Sequence, residues 1–161
     1  MIQIPLGTIP RVNDLIEKLD LKLSIQHMTL RRNIAYTLQY IKFVEWLLKN
    51  SDLALTAKEQ TIKYGIVALN AVLDGAVRDH LERPPYLQPS QRFQRNIEKL
   101  KTKKLKPLSG HLANRLIKAH RKREKIHLYC CGDKLEHGQY SMGDFIEIKE
   151  ITTDYLKWLA S

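Results

Sequence analysis

The sequence predicts an all-α protein, a single-domain bundle of five to six helices, and three observations carry that prediction. Apolar residues recur at steps of three and four over long stretches, which places them on one buried stripe of a helix. No alternating apolar and polar pattern runs longer than a few residues. Only 7 Gly and 6 Pro occur among 161 residues, too few for the frequent turns of an all-β fold.

Each helix has its own justification. Residues 1–28 read as an N-terminal extension holding one short helix, Val12 to Leu19, with Asn13 or Asp14 in its first turn. A longer helix spans Leu30 to Lys49, where Leu30, Ile34, Leu38, Ile41, Val44 and Leu48 step by 4, 4, 3, 3 and 4. Thr56-Ala-Lys-Glu59 has the spacing of a capping box and is expected to start a third helix. That helix carries Ile62, Ile66, Leu69, Leu73 and Ala76 on one face to about His80. Arg83-Pro-Pro-Tyr-Leu-Gln-Pro89 stops it, because proline lacks the N–H and its ring blocks the preceding turn. Ser90 is the expected cap of a fourth helix reaching Lys101. Pro107-Leu-Ser-Gly interrupts, and Ser109 caps a fifth through Leu112, Leu116, Ala119 and Ile126. Past the segment from Cys130 to Gly143, Asp144 to Ala160 forms a last helix with Phe145, Ile148, Tyr155, Trp158 and Leu159. Tyr155 and Trp158 suit either the core or a dimer contact.

The length is enough for one core and no more. No apolar run approaches the roughly 20 residues of a membrane span, and the opening Met1-Ile-Gln-Ile-Pro-Leu lacks the basic start of a signal peptide. Cys130 and Cys131 are adjacent, a poor geometry for a structural disulfide. The expectation is a cytoplasmic protein with no membrane partner.

Charge is the first specific signal. The chain carries a net charge of +10, but the window from Gln91 to Leu128 holds thirteen Lys and Arg against Glu98 and Glu124, a net +11. All of the excess is in that stretch. A polyanion such as RNA is the expected partner, since neutralised phosphates release their condensed counterions. Lys101, Lys103, Lys104, Lys106, Arg115, Lys118 and Lys125 are the candidate RNA-binding residues. A solvated basic face that only aids solubility is the plainer alternative.

The fifth helix breaks its own pattern. Its stripe runs 112, 116, 119, then 123 and 126, so Arg123 stands where an apolar residue is due. His120 and His127 lie two turns apart on nearly one face, which Arg123 shares. Arg121 and His127 are about 240° apart on an unbroken helix, so they converge only if the helix ends or loosens near Ile126, or across two subunits. The alternative is ordinary: arginine stems that snorkel along a core edge and a histidine that meets the helix C-terminal dipole.

Other chemistries have weaker support. No Cys-x-x-Cys or His-x-x-x-His pair occurs, so no metal site is expected. Cys130 and Cys131 follow the C-terminal end of a helix, the wrong end to favour a thiolate nucleophile. Neither a P-loop nor a dinucleotide fingerprint is present, so no cofactor is expected. Asp133, Glu136 and His137 read as solvated loop residues.

His120-Arg-Lys-Arg-Glu-Lys-Ile-His127 resembles the motif of the HEPN family (higher eukaryotes and prokaryotes nucleotide-binding domains), an Arg, four to six residues, then His. Here it reads Arg121, five residues, His127, with Lys122 in the place where the family often carries a polar residue, commonly Asn. Arg123 offers a second Arg at shorter spacing. The order of helices is also similar, with the motif late in a bundle and one helix after it. The resemblance implies a HEPN-like fold and a metal-independent endoribonuclease, often a homodimer whose two motifs face one cleft. His127 would then be the acid and base and Arg121 the phosphate clamp, with Lys122, Arg123 and His120 as auxiliaries. The products would be a 2′,3′-cyclic phosphate and a 5′-hydroxyl. A toxin or defence nuclease, held by an antitoxin or regulatory protein, is the implied setting. The alternative of a different class is a non-catalytic basic helical module that binds RNA or an acidic partner protein.

Overall fold

The computed structural model describes residues 4–83, 88–102, 106–124 and 139–161. Seven helices form among them and no strand: α1 (Val12–Lys18), α2 (Leu21–Ser24), α3 (Met28–Asn50), α4 (Leu55–Leu81), α5 (Phe93–Lys101), α6 (Gly110–Glu124) and α7 (Met142–Ala160). The all-α bundle is as predicted. Its axis is α4, whose 27 residues make it about 40 Å long. Helices α3, α5, α6 and α7 all pack on α4, while α1 rests on α3 and α2 on α7. One core joins them, with Ile41, Ile66, Leu69, Leu73, Ile97, Leu116, Phe145 and Tyr155 sealed from solvent or nearly so. Transfer of such side chains out of water is the main driving force of the fold. Among the described residues, no helix is long and apolar enough to cross a membrane.

The periodic stripes behave as the spacing predicts. Ile34, Ile41 and Val44 are buried, and Leu30, Leu38 and Leu48 pack against the same core. Residues 1–28, read as an extension, supply Leu15, Ile16, Leu21 and Ile25 to that core. The one-turn α2 went unforeseen because four residues are too few to show a period. Asp20, just ahead of it, takes a left-handed conformation at φ 47° that turns the chain from α1 into α2.

Capping follows the prediction at one helix and departs from it at two. The Ser109 hydroxyl accepts the Leu112 N–H at 3.2 Å, a cap for α6. At α4, however, the chain turns helical at Leu55 with Ala54 as the N-cap, so Thr56 lies inside the first turn and forms no capping box. At α5 the Asn96 side chain takes both the N–H and the carbonyl of Ser90, at 2.6 and 2.9 Å. The helix therefore starts later, at Phe93, with Arg92 as its N-cap. For α7, Ser141 and Asp144 form a reciprocal capping box that starts the helix at Met142, two residues ahead of the expected start.

A glycine sets the crossing of α4 and α7. A Cβ on Gly65 would lie 2.6 Å from the Phe145 ring, which is fully buried and has little room to move. Gly65→Ala gains up to about 1 kcal/mol in helix propensity. The overpacking costs about 1–3 kcal/mol. The net expected result is a lower melting temperature, whereas a stabilised variant would mean that the α4–α7 contact is looser than described.

Candidate nucleic-acid interface

Helix α6 buries Leu112, Ala113, Leu116 and Ala119 against the bundle, which fixes where its charged residues point. Arg115, Lys118 and Lys122 turn toward α7. They pair with Asp154 at 2.6 Å, Glu147 at 2.6 Å and Asp144 at 2.8 Å. Burial alone would raise the Asp144 pKa. Hydrogen bonds from Lys122 and Ser141 outweigh it, and the carboxyl titrates below its ordinary range. Each such pair contributes only about 0–1 kcal/mol. Its larger effect is electrostatic: three cations of the basic window already face carboxylates of their own chain.

The opposite side of α6 is different. His120 stacks on Phe93 of α5, ring centroids 4.4 Å apart and planes 16° from parallel. Phe93 is buried, and 18% of the His120 side chain stays exposed. Its Nδ1 is buried with no hydrogen-bond partner among the described residues, and its Nε2 lies 3.7 Å from a Glu124 carboxylate oxygen. Burial holds the imidazole pKa below its ordinary value, with the Arg123 charge adding to the effect; Glu124 and Asp74 pull the other way. The shift favours the neutral ring. Beside it a cavity of about 340 Å³ opens, lined by Phe93, Ile117 and His120 and by exposed Arg92 and Arg121.

Helix α5 continues this face. Arg92, Arg95 and Lys99 follow the i, i+3, i+7 spacing of one helical side and line an open hollow of about 600 Å³. They span about 10 Å of helix axis. Among the described residues, no carboxylate pairs with Arg92, Arg95 or Arg121. Lys99 donates to the Gln88 carbonyl, which leaves its charge uncompensated. The helix also has no acidic residue in its first turn and no side-chain cap, so its N-terminal dipole adds to the positive field beside Arg92.

The predicted residues therefore divide. Arg121 is exposed at the cavity, and His120 sits in its wall. Arg123 is half-buried on the same helix. Arg115, Lys118 and Lys122 are spent on α7. Lys101 pairs with Glu98 at 3.0 Å. Lys106 lies 5.1 Å from the Trp158 ring centroid, a cation–π contact, and burial followed by repulsion from Arg83 lowers its pKa. His127, Lys103, Lys104, Lys125, Ile126, Cys130, Cys131, Asp133, Glu136 and His137 lie outside the described residues. Among the described residues, no group of three His, Cys, Asp or Glu side chains could hold a metal ion.

Sequence reasoning counted Arg92, Arg95 and Lys99 in the charge window but did not place them in the site. Their 3 and 4 spacing was the available signal. Phe93 had none, because its contact with His120 exists only once α5 and α6 pack. Comparison with known families, characterised proteins and solved structures finds no match for this chain.

Proposed function

We propose that this chain is a metal-independent endoribonuclease of HEPN type. The observation that supports it most is Arg121, exposed at the mouth of a basic cavity and unpaired with any described carboxylate. It lies six positions before His127 in the sequence. A guanidinium there is always charged and can hold two phosphate oxygens at once. In the proposed reaction the 2′-OH of one nucleotide loses its proton to the His127 imidazole and its oxygen bonds to the adjacent phosphorus. The bond from phosphorus to the 5′-oxygen breaks, and that oxygen leaves with the proton returned by the His127 imidazolium. Arg121 offsets the charge that builds on the phosphoryl oxygens. Lys122, engaged with Asp144, holds the motif helix against α7, and its auxiliary role is to position Arg121.

The reading includes a second copy of the chain whose motif faces the same cleft, and an antitoxin or regulatory protein as a further partner. Tyr155, with 0% exposure, offers no surface for a dimer. Tyr36 and Tyr40 on the outer side of α3, 57% and 41% exposed, do offer one.

The test is an assay of the purified protein on mixed RNA in EDTA. Cleavage that leaves 2′,3′-cyclic phosphate ends supports the proposal. Activity that vanishes with the chelator, or that leaves 3′-hydroxyl ends, ends it. A second reading, a basic module that binds RNA without cutting it, is favoured by the α5 face, whose three cations need no catalytic partner. That reading expects tight, salt-sensitive binding and intact RNA.

A further inference from the structure

We propose that the cavity between α5 and α6 is a nucleobase subsite, and that it selects an unpaired nucleotide next to the phosphate held by Arg121. The inference rests on the ribonuclease and RNA-binding readings above, and it adds what the site recognises.

A phosphate alone has no use for an aromatic wall, and a greasy ligand has none for a rim of guanidinium, amide and carboxylate groups. This cavity has both. Its wall is the stacked pair of Phe93 and His120. Its rim carries Arg92 and Arg121, the Gln94 amide and the Glu124 carboxylate. A nucleotide matches the set: a planar π face against the imidazole, polar base edges toward Gln94 and Glu124, and a phosphate toward the arginines. The volume of about 340 Å³ is of the size that holds a small ligand. The stack on Phe93 fixes the imidazole plane, so little ordering of His120 is left for binding to cost. Burial favours the uncharged ring, which suits its π face to stacking on a base. A base in a duplex cannot reach this wall, so the substrate class is single-stranded RNA.

Adenosine 5′-monophosphate, ribose 5-phosphate and inorganic phosphate are the probes, titrated onto the full chain by calorimetry or NMR. None of them has a scissile phosphodiester, so the result is independent of cleavage. The expected order is the nucleotide about tenfold tighter than ribose 5-phosphate, from base stacking. His120→Ala should bring the two ligands to equal affinity, and His120→Phe, which keeps a stackable ring, should restore the difference. Arg92→Ala should weaken all three ligands together. Equal binding of nucleotide and sugar phosphate by the wild-type protein overturns the subsite, as does an unchanged preference in His120→Ala. His127-dependent RNA cleavage without a base preference would leave the nuclease standing and remove only this subsite. A base preference in a protein that cuts no RNA would do the reverse.

Discussion

Asp79→Ala is expected to destabilise the fold by about 3–5 kcal/mol, a larger loss than that of Gly65→Ala. The Asp79 side chain is fully buried at the C-terminal end of α4. One carboxylate oxygen accepts the Gln26 N–H at 3.0 Å and the Arg83 guanidinium at 2.6 Å, and the other accepts the His27 N–H at 3.1 Å. Arg83 also donates to the Ser24 carbonyl. The group thus closes the turn between α2 and α3 onto the central helix. Truncation leaves two backbone N–H groups without their acceptor and a 16% exposed guanidinium without its carboxylate partner. Chemical denaturation of the variant at pH 7 measures the loss. A change under about 1 kcal/mol would mean that water replaces the carboxylate at little cost.

The same group fixes an acid limit. Burial by itself would raise the Asp79 pKa. Hydrogen bonds from Arg83, Gln26 and His27 outweigh it, so the folded-state value lies below the ordinary one. Glu45, held by Lys149 and Lys42 against its own desolvation, shifts the same way, as does Asp144. A depressed carboxyl contributes stability that is fully present above its unfolded pKa and is lost as pH falls through the folded value. Stability should therefore hold above about pH 5 as far as these groups go and fall below about pH 4. In Asp79→Ala that acid slope is shallower.

His127→Ala should lower the rate of RNA cleavage about 10²- to 10⁴-fold, the contribution of a positioned general acid and base. Its binding of RNA should change little, because on this account affinity comes from the cations of α5 and Arg121. Two arginines compete for the clamp. Arg121 is exposed at the cavity, and Arg123 is half-buried near His120. Arg121→Ala is expected to cost about 10²-fold or more in turnover, and Arg123→Ala less. Single-turnover kinetics with saturating protein separate the rate from binding. Equal rates for the wild type and His127→Ala would remove the imidazole from the mechanism.

The fold was legible where one physical signal dominates. The stripe from Leu30 to Leu48 and that from Ile62 to Ala76 are set by burial on one helix face, and α3 and α4 follow them. Starts of helices were less so, because a cap is decided by which residue first turns helical. Ser109 and Thr56 have equally plausible hydroxyls, yet only Ser109 caps its helix; the Ser90 hydroxyl accepts the Arg92 N–H ahead of α5, while Asn96 holds the Ser90 backbone. The charge window marked about a quarter of the chain as basic but could not divide it. Arg115 and Lys118 look the same in sequence as Arg92 and Arg95. What separates them is the register of α6 against α7, which brings Asp154 and Glu147 to the former pair. For Asp79 only Arg83, four residues on, was visible in sequence, since its partners at Gln26 and His27 are more than fifty residues away.

The claim that joins these results is that the ligand-facing charge is on α5 and Arg121, while the cations of α6 that face α7 are paired with carboxylates of that helix. The salt dependence of RNA binding tests it directly, in wild type, in Arg92→Ala/Arg95→Ala/Lys99→Ala and in Arg115→Ala/Lys118→Ala. Each phosphate contact on a single strand contributes about 0.7 to the slope of log K against log salt. The account predicts that the α5 variant loses about 2 from that slope and that the α6 variant keeps the wild-type value. A slope unchanged in the first and reduced in the second would contradict it.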